Sequence, residues 1–387
     1  LFTFLCVIWS SELCKGQEAL SVEESTPEPF QAGELFSNGE RKKRQVTIDT
    51  HLHRKWSHGV YYVFNSTMSD KMKECFRKAA EVWSRDTCIN FKEREIDSTY
   101  GYLFVTDDGG YYSHVGRLGD EQPISICKKC DKEIGRVIHE VGHALGLYHA
   151  HSRYDRDKYV TVMPDAMEKF EKEFEIIEKE NLTDYGTEYD YGSIMHYASG
   201  YDNKMLVPAD KHYRQTMGSA MLSFTDLWLI NTHYGCLGRC EGTPITCENG
   251  GFPHPRDCNN KCICPSGYGG SRCDGPGENG QELNATAEQQ ELPIILESSR
   301  TEDYSYRTYW IKSPENTVIE IEIESIQSRM FANVQGCTEA GVEIKTNENQ
   351  NLTGYRLCSD DFDEDKLYSH SNLVPVIAYN KDPRFTF

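Results

Sequence analysis

The chain has 387 residues, too many for one ordinary domain, and its 61 acidic against 41 basic residues give a net charge of −20. That balance argues against a nucleic-acid partner and disfavours binding to anionic membranes. Fifteen cysteines are far too many for a cytosolic protein without several metal clusters, so they point to disulfides and a secreted, extracellular setting. Four N-x-S/T glycosylation sequons, at Asn65, Asn181, Asn284 and Asn351, are usable only in the secretory pathway.

In chain order, LFTFLCVIW at the start is apolar but far shorter than a bilayer span, and reads as the core of a signal peptide over residues 1–16. An acidic, proline-containing segment, 17–44, ends in Arg41-Lys42-Lys43-Arg44. Such a cation run before a globular domain reads as a furin-type cleavage site, with cutting after Arg44 and a mature start at Gln45. No later apolar run is long enough to span a bilayer and no hydrophobic tail follows, so no membrane anchor is expected. GVYYVFN at 59–65 and YGYLFVT at 100–106 read as strands. Between them residues 70–85 read as a helix whose apolar stripe is Met72, Cys75, Phe76, Ala79 and Trp83.

Residues 139–149, HEVGHALGLYH, place three imidazoles and a carboxylate in the spacing a catalytic zinc needs. Four residues advance a helix by about 400°, so His139 and His143 share one face, one turn apart. Ile134, Val137, Ile138, Val141 and Leu145 give that helix a buried side. Gly146 breaks the helix and lets His149 return as a third ligand, leaving coordination open for water and substrate, the mark of a catalytic Zn2+. Glu140 beside them can take a proton from a water and carry it to a leaving amine.

Farther on stand SRYDRD at 152–157 and YGSIMHY at 191–197. With the extended histidine motif, these resemble the signature of the astacin family of metzincin zinc endopeptidases. The resemblance implies a mixed α+β catalytic domain over 45–236, with the zinc helix flooring a long cleft and Met195 making the Met-turn beneath the metal. It implies that Tyr197 caps the zinc at rest and stabilises the oxyanion, and that an edge strand corresponding to 100–106 pairs with extended protein substrates. Astacin propeptides carry F-x-G-D, whose carboxylate keeps the zymogen latent; the nearest match here, Phe30 to Glu34, has one extra residue and offers Glu34. Arg214 lies near the segment that shapes the pocket for the residue after the scissile bond.

The cysteines after the catalytic domain resemble those of an EGF-like module over 237–275, which implies Cys240–Cys258, Cys247–Cys262 and Cys264–Cys273. The alternation Val318 to Glu324, GVEIK and PVIAYN read as short strands. With Cys337–Cys358 as its one pair, the stretch 276–387 resembles an all-β CUB sandwich, a layout like that of nematode astacins. Both modules could engage extracellular protein partners. The family also implies Cys88–Cys236. Two departures stand out. Many astacins pair a cysteine at position 130 with one in G-C-Y-S, which here reads Gly110-Tyr111-Tyr112-Ser113, so Cys127–Cys130 is the expected bond and Cys75 is left as a buried thiol. The family's glutamate after the third histidine, which pairs with the mature N-terminus, is Ala150, so Gln45 is not expected to dock there. The alternative from another class is a catalytically silent adhesion or scaffold protein using the EGF and CUB modules.

Overall fold

A computed structural model describes residues 2–6, 55–94, 100–200, 204–296, 303–326, 335–359 and 366–381. Of the expected leader, Phe2–Cys6 forms strand β1; Glu34, Arg41 to Arg44 and Gln45 lie outside the described residues.

Strand β2 (Val60–Phe64), helix α1 (Asp70–Arg85), β3 (Phe91–Glu93), β4 (Tyr102–Thr106), β5 (Tyr112–Ser113) and β6 (Glu121–Ser125) precede helix α2 (Ile134–Leu145). The five strands form one sheet in the order β3-β2-β4-β6-β5, parallel except for β5. This corrects the edge position expected for 100–106: β4 is the central strand, and the antiparallel edge is β5. The reason is visible in its side chains, since Leu103 and Val105 are fully buried. A strand so enclosed has its backbone groups satisfied on both sides.

Helix α1 starts where Ser69 accepts from the amide of Met72. Its buried residues are Met72, Cys75, Phe76, Ala79, Ala80 and Trp83, and they pack against α2 in the main core. Two indoles fix α2 in place: Trp83 Nε1 donates to the Ile138 carbonyl at 2.9 Å and Trp56 Nε1 to that of Ala144 at 2.8 Å. The helix contact also overturns the expected Cys127–Cys130 bond. Those residues end a tight turn, with the Cys130 amide on the Cys127 carbonyl at 3.1 Å, and Cys130 is fully buried. Its sulfur meets Cys75 on the apolar face of α1, with Cα atoms 6.0 Å apart, and Cys127 is left as a half-buried thiol. Cys88 bonds Cys236, tying α1 to the end of the catalytic unit.

Beyond α2 come β7 (Val160–Val162), α3 (Pro164–Lys169), β8 (Leu206–Pro208) and α4 (Phe224–His233), with β7 and β8 antiparallel around a second core rich in tyrosine. Strands β9 (Phe252–Pro253) and β10 (Cys262–Ile263) form a small hairpin stapled by Cys240–Cys258, Cys247–Cys262 and Cys264–Cys273. A unit this small relies on such staples in place of a core. The last unit contains β11 (Gln281–Asn284), β12 (Ser305–Lys312), β13 (Ile319–Ile323), β14 (Ala340–Ile344), β15 (Tyr355–Leu357), β16 (Leu367–Tyr368) and β17 (Leu373–Asn380), with Cys337 bonded to Cys358. Its sheets have the orders β11-β12-β17-β14-β15 and β1-β13-β16, the second including β1 parallel to β13.

The three units are joined by polar contacts. Arg256 of the small unit donates to the carbonyls of Ser84 (2.6 Å) and Ile89 (2.7 Å). In the last unit Arg356 pairs with Glu343 at 2.9 Å and donates to Ser219 Oγ at 2.7 Å, while Gln215 Oε1 accepts from the Cys358 amide at 2.8 Å. Period-two alternation would leave one face of β14 in water, yet all five of its residues are buried. No helix among the described residues is long and apolar enough to cross a membrane.

Candidate metal centre

Helix α2 ends at Gly146, whose φ of 115° is left-handed backbone that favours glycine. The chain turns back there and brings His149 over the face that carries His139 and His143. The Nε2 atom of His149 lies 3.2 Å from that of His139 and 3.0 Å from that of His143. Tetrahedral zinc with Zn–N bonds of about 2.0–2.1 Å sets ligand nitrogens about 3.3 Å apart.

The tautomers make the case stronger. His139 Nδ1 donates to the Ile194 carbonyl and His143 Nδ1 to the Leu147 carbonyl, both at 2.7 Å. Each ring therefore spends its proton on the backbone and presents an Nε2 lone pair to the shared point. Burial holds both rings neutral, pushing His139 down to about 3 and His143 to about 4, and keeps His149 well below its ordinary value. Lone pairs gathered this closely repel one another unless a cation sits among them, so the donor set fits Zn2+.

Glu140 is 6 % exposed. Desolvation pushes its carboxyl up to about 8, Arg136 opposing and Glu173 adding to the shift. Tyr197 lies with its ring centroid 4.5 Å from His149 and 4.2 Å from His151, and its hydroxyl donates to Glu173 Oε2 at 3.2 Å. Burial first, then the carboxylates of Glu173 and Glu140, hold the phenol well above its usual range, so it remains a donor.

The turn at Met195 lies directly under α2. A Cβ on Gly142 would come within 2.9 Å of the Met195 sulfur and 3.1 Å of Trp83, so any larger residue would make Met195 or Trp83 give way. Residues not singled out from the sequence hold the turn. Asp226 accepts from Ser193 Oγ at 2.6 Å and from the amides of Ile194 and Ser223 at 2.9 Å. Its readable signal was the capping box Ser223 to Asp226 at the start of α4. Glu173 and His151 left no such mark: His151 stacks on His149, centroids 4.9 Å apart, and its Nε2 meets the Glu173 carbonyl at 3.2 Å.

A cavity of about 160 Å³ opens behind His149, and Ala150, Asp184, Glu188, Asp190 and Asp226 share its wall. Asp155 is paired with Arg153 at 2.9 Å. Arg214 is half-buried after the turn Lys211–Tyr213. Asn181 and Asn284 are exposed, whereas Asn65 and Asn351 are half-buried.

Residues 48–235 match the family model for the astacin peptidases. Among curated proteins of Caenorhabditis elegans, the chain is 37% identical to zinc metalloproteinase nas-31 (89% of this chain, 57% of that protein), 34% to nas-29 (90% and 68%) and 33% to nas-25 (91% and 90%). It thus spans little more than half the length of nas-31. Among solved structures, high choriolytic enzyme 1, a hatching enzyme zinc-protease from the medaka fish Oryzias latipes, aligns with a TM-score of 0.41 and 29% identity over 47% of this chain and 92% of that one. The matched residues contain all three histidines, Glu140, Met195 and Tyr197, and the chain belongs to the astacin family.

Proposed function

We propose that this chain is a secreted zinc endopeptidase, made as a latent precursor, that hydrolyses extracellular proteins of the matrix, cuticle or egg-envelope kind. The observation that carries the reading is the convergence of three neutral imidazoles whose remaining ring protons, on His139 and His143, are committed to backbone carbonyls. His139, His143 and His149 hold the metal. When bound, zinc supplies Lewis acidity toward water and the scissile carbonyl. Glu140, buried beside His139, takes the proton from the attacking water and returns it to the leaving amine. Tyr197 is a protonated phenol beside His149 and donates to the oxygen on which negative charge develops. We read the turn at Met195 as the Met-turn, 237–275 as an EGF-like module and the last unit, 276–387, as CUB-like. Removal of residues 1–16, cleavage after Arg44 and release from Glu34 would give the active form, with glycans on the exposed Asn181 and Asn284 first.

The test is to incubate the furin-processed protein with a peptide library, with and without a zinc chelator. Cleavage that the chelator abolishes and added zinc restores is expected, and the same data give the preference after the scissile bond. Chelator-resistant cleavage, or none from metal-loaded protein, would remove the assignment.

A further inference from the structure

The turn at Met195 is fastened from two sides, and one of them belongs to the C-terminal β unit. Asp190, 5 % exposed, stands three residues before Ser193. Its Oδ1 accepts from the Gly192 amide at 3.0 Å and its Oδ2 from Thr225 Oγ1 at 2.5 Å. The remaining donors come from 163 residues away: the amide and hydroxyl of Thr353, each at 3.3 Å, reach Oδ1 and Oδ2 respectively. Thr353 is 3 % exposed, just before β15. It sits so close to the chain that a Cβ on Gly192 would fall 2.3 Å from its methyl carbon.

From Asp190 the contacts run inward without a gap. With the Thr225 hydroxyl hydrogen spent on Asp190, Ser223 Oγ donates to Thr225 Oγ1 at 2.7 Å and accepts from the Asp226 amide at 3.1 Å. Asp226 grips Ser193 and the Ile194 amide, and the Ile194 carbonyl orients His139 Nδ1. Around Thr353 the seat is wide: Tyr213 donates to its carbonyl at 3.3 Å, Tyr355 donates to Asp210 at 2.7 Å, and the Arg356 amide to Thr216 Oγ1 at 2.9 Å.

We infer that Thr353 is a positioning residue for the metal centre, so that the C-terminal β unit completes the support of the turn beneath the zinc ligands instead of serving as an appendage. The inference rests on the zinc site assigned above. A ligand whose Nδ1 acceptor is held rigidly offers a fixed lone pair; one whose acceptor drifts loses metal affinity and the geometry needed for turnover. Partners of metal ligands typically affect affinity or activity about 10–100-fold, and a more remote support should fall near the lower end.

The experiment uses the full processed chain. Thr353→Val keeps the shape and the amide bond but removes the hydroxyl; Thr353→Ser returns it; both are made in an Asn351→Gln background, with that variant as the reference, because Thr353 completes the Asn351 sequon; Ile311→Val thins the core of the same β unit, where Ile311 is fully buried, without touching the catalytic unit. Zinc affinity is read by chelator competition and ligand geometry by the visible spectrum of the cobalt-substituted protein, beside kcat and KM. Thr353→Val should weaken zinc and lower kcat about fivefold each, shift the cobalt bands and leave KM in place. Thr353→Ser should restore all three, and Ile311→Val should move none. Wild-type zinc affinity, spectrum and kcat in a folded Thr353→Val protein would overturn the inference, as would equal losses in Ile311→Val. If Thr353→Val does not fold, failure of Gly192→Ala, whose new methyl crowds Thr353, to lower zinc affinity would overturn it instead. Were the wild-type protein to bind no zinc, the site assignment itself would fall.

Discussion

The metal centre and the seam around Arg356 both bury polar side chains, and they do so in opposite ways. At the centre, three imidazoles are kept neutral by burial, with their Nε2 atoms turned toward one another. At the seam, the charges stay charged: Arg356 pairs with Glu343 at 2.9 Å, and Lys345 beside them donates to Ser266 Oγ at 3.0 Å and to the Gln350 carbonyl at 2.6 Å. Burial would raise Glu343, but Arg356 and Lys345 hold it below the ordinary carboxylate range. One site turns three converging nitrogens toward a point a cation would fill; the other carries its own compensation. The first is therefore built for binding and the second for holding units together.

The largest effect is expected at the seam. Arg356→Met strands Glu343 and should cost about 3–5 kcal/mol in urea unfolding at neutral pH; a cost under about 1 kcal/mol would show that Lys345 alone neutralises the carboxylate. At the centre, Glu140→Gln should keep zinc and fold but lose at least about 10²-fold in kcat, because the ligands remain while the proton carrier is gone. Near-normal proteolysis by that variant would break the assignment of roles. Tyr197→Phe should lower kcat about tenfold and leave KM close to wild type, since the phenol acts on charge present only in the transition state. An effect on KM alone would make Tyr197 a binding residue.

The two regions should also answer pH with opposite signs. Asp226, under the metal centre, is pushed up to about 6 by burial, so between about pH 4 and 6 the native state binds more protons than the unfolded one. Its contribution to stability falls with rising pH, by up to about 1 kcal/mol per unit. Glu343 is depressed, so its contribution is present above about pH 4.5 and disappears as pH falls through the folded value. Unfolding free energies of Asp226→Asn and Glu343→Gln against wild type from pH 3 to 7 should differ in the sign of their slopes; parallel slopes would refute the distinction.

What was legible in the sequence was what short spacing encodes. The stripe on α1 and the three histidines follow from turns of one helix and a glycine that ends it, so residues within about ten positions settle them. Pairings set by docking left no such trace. Cys130 has Cys127 as its sequence neighbour, yet bonds Cys75, because α1 lies against the 127–130 turn. Glu343 and Lys345 look like the wet face of an alternating strand, and are buried because another unit covers that face. β4 sits mid-sheet because β2 and β6 flank it, an order no local pattern records.

The indole clamps on α2 also make the helix optically self-reporting. Trp83 is fully buried and bonded to the carbonyl of Ile138, one residue before His139, and Trp56, 3 % exposed, is bonded to that of Ala144, one residue after His143. Any loosening of the helix when the metal leaves would hydrate or reorient these chromophores, so emission wavelength and near-ultraviolet dichroism register the state of the site without a label or a substrate.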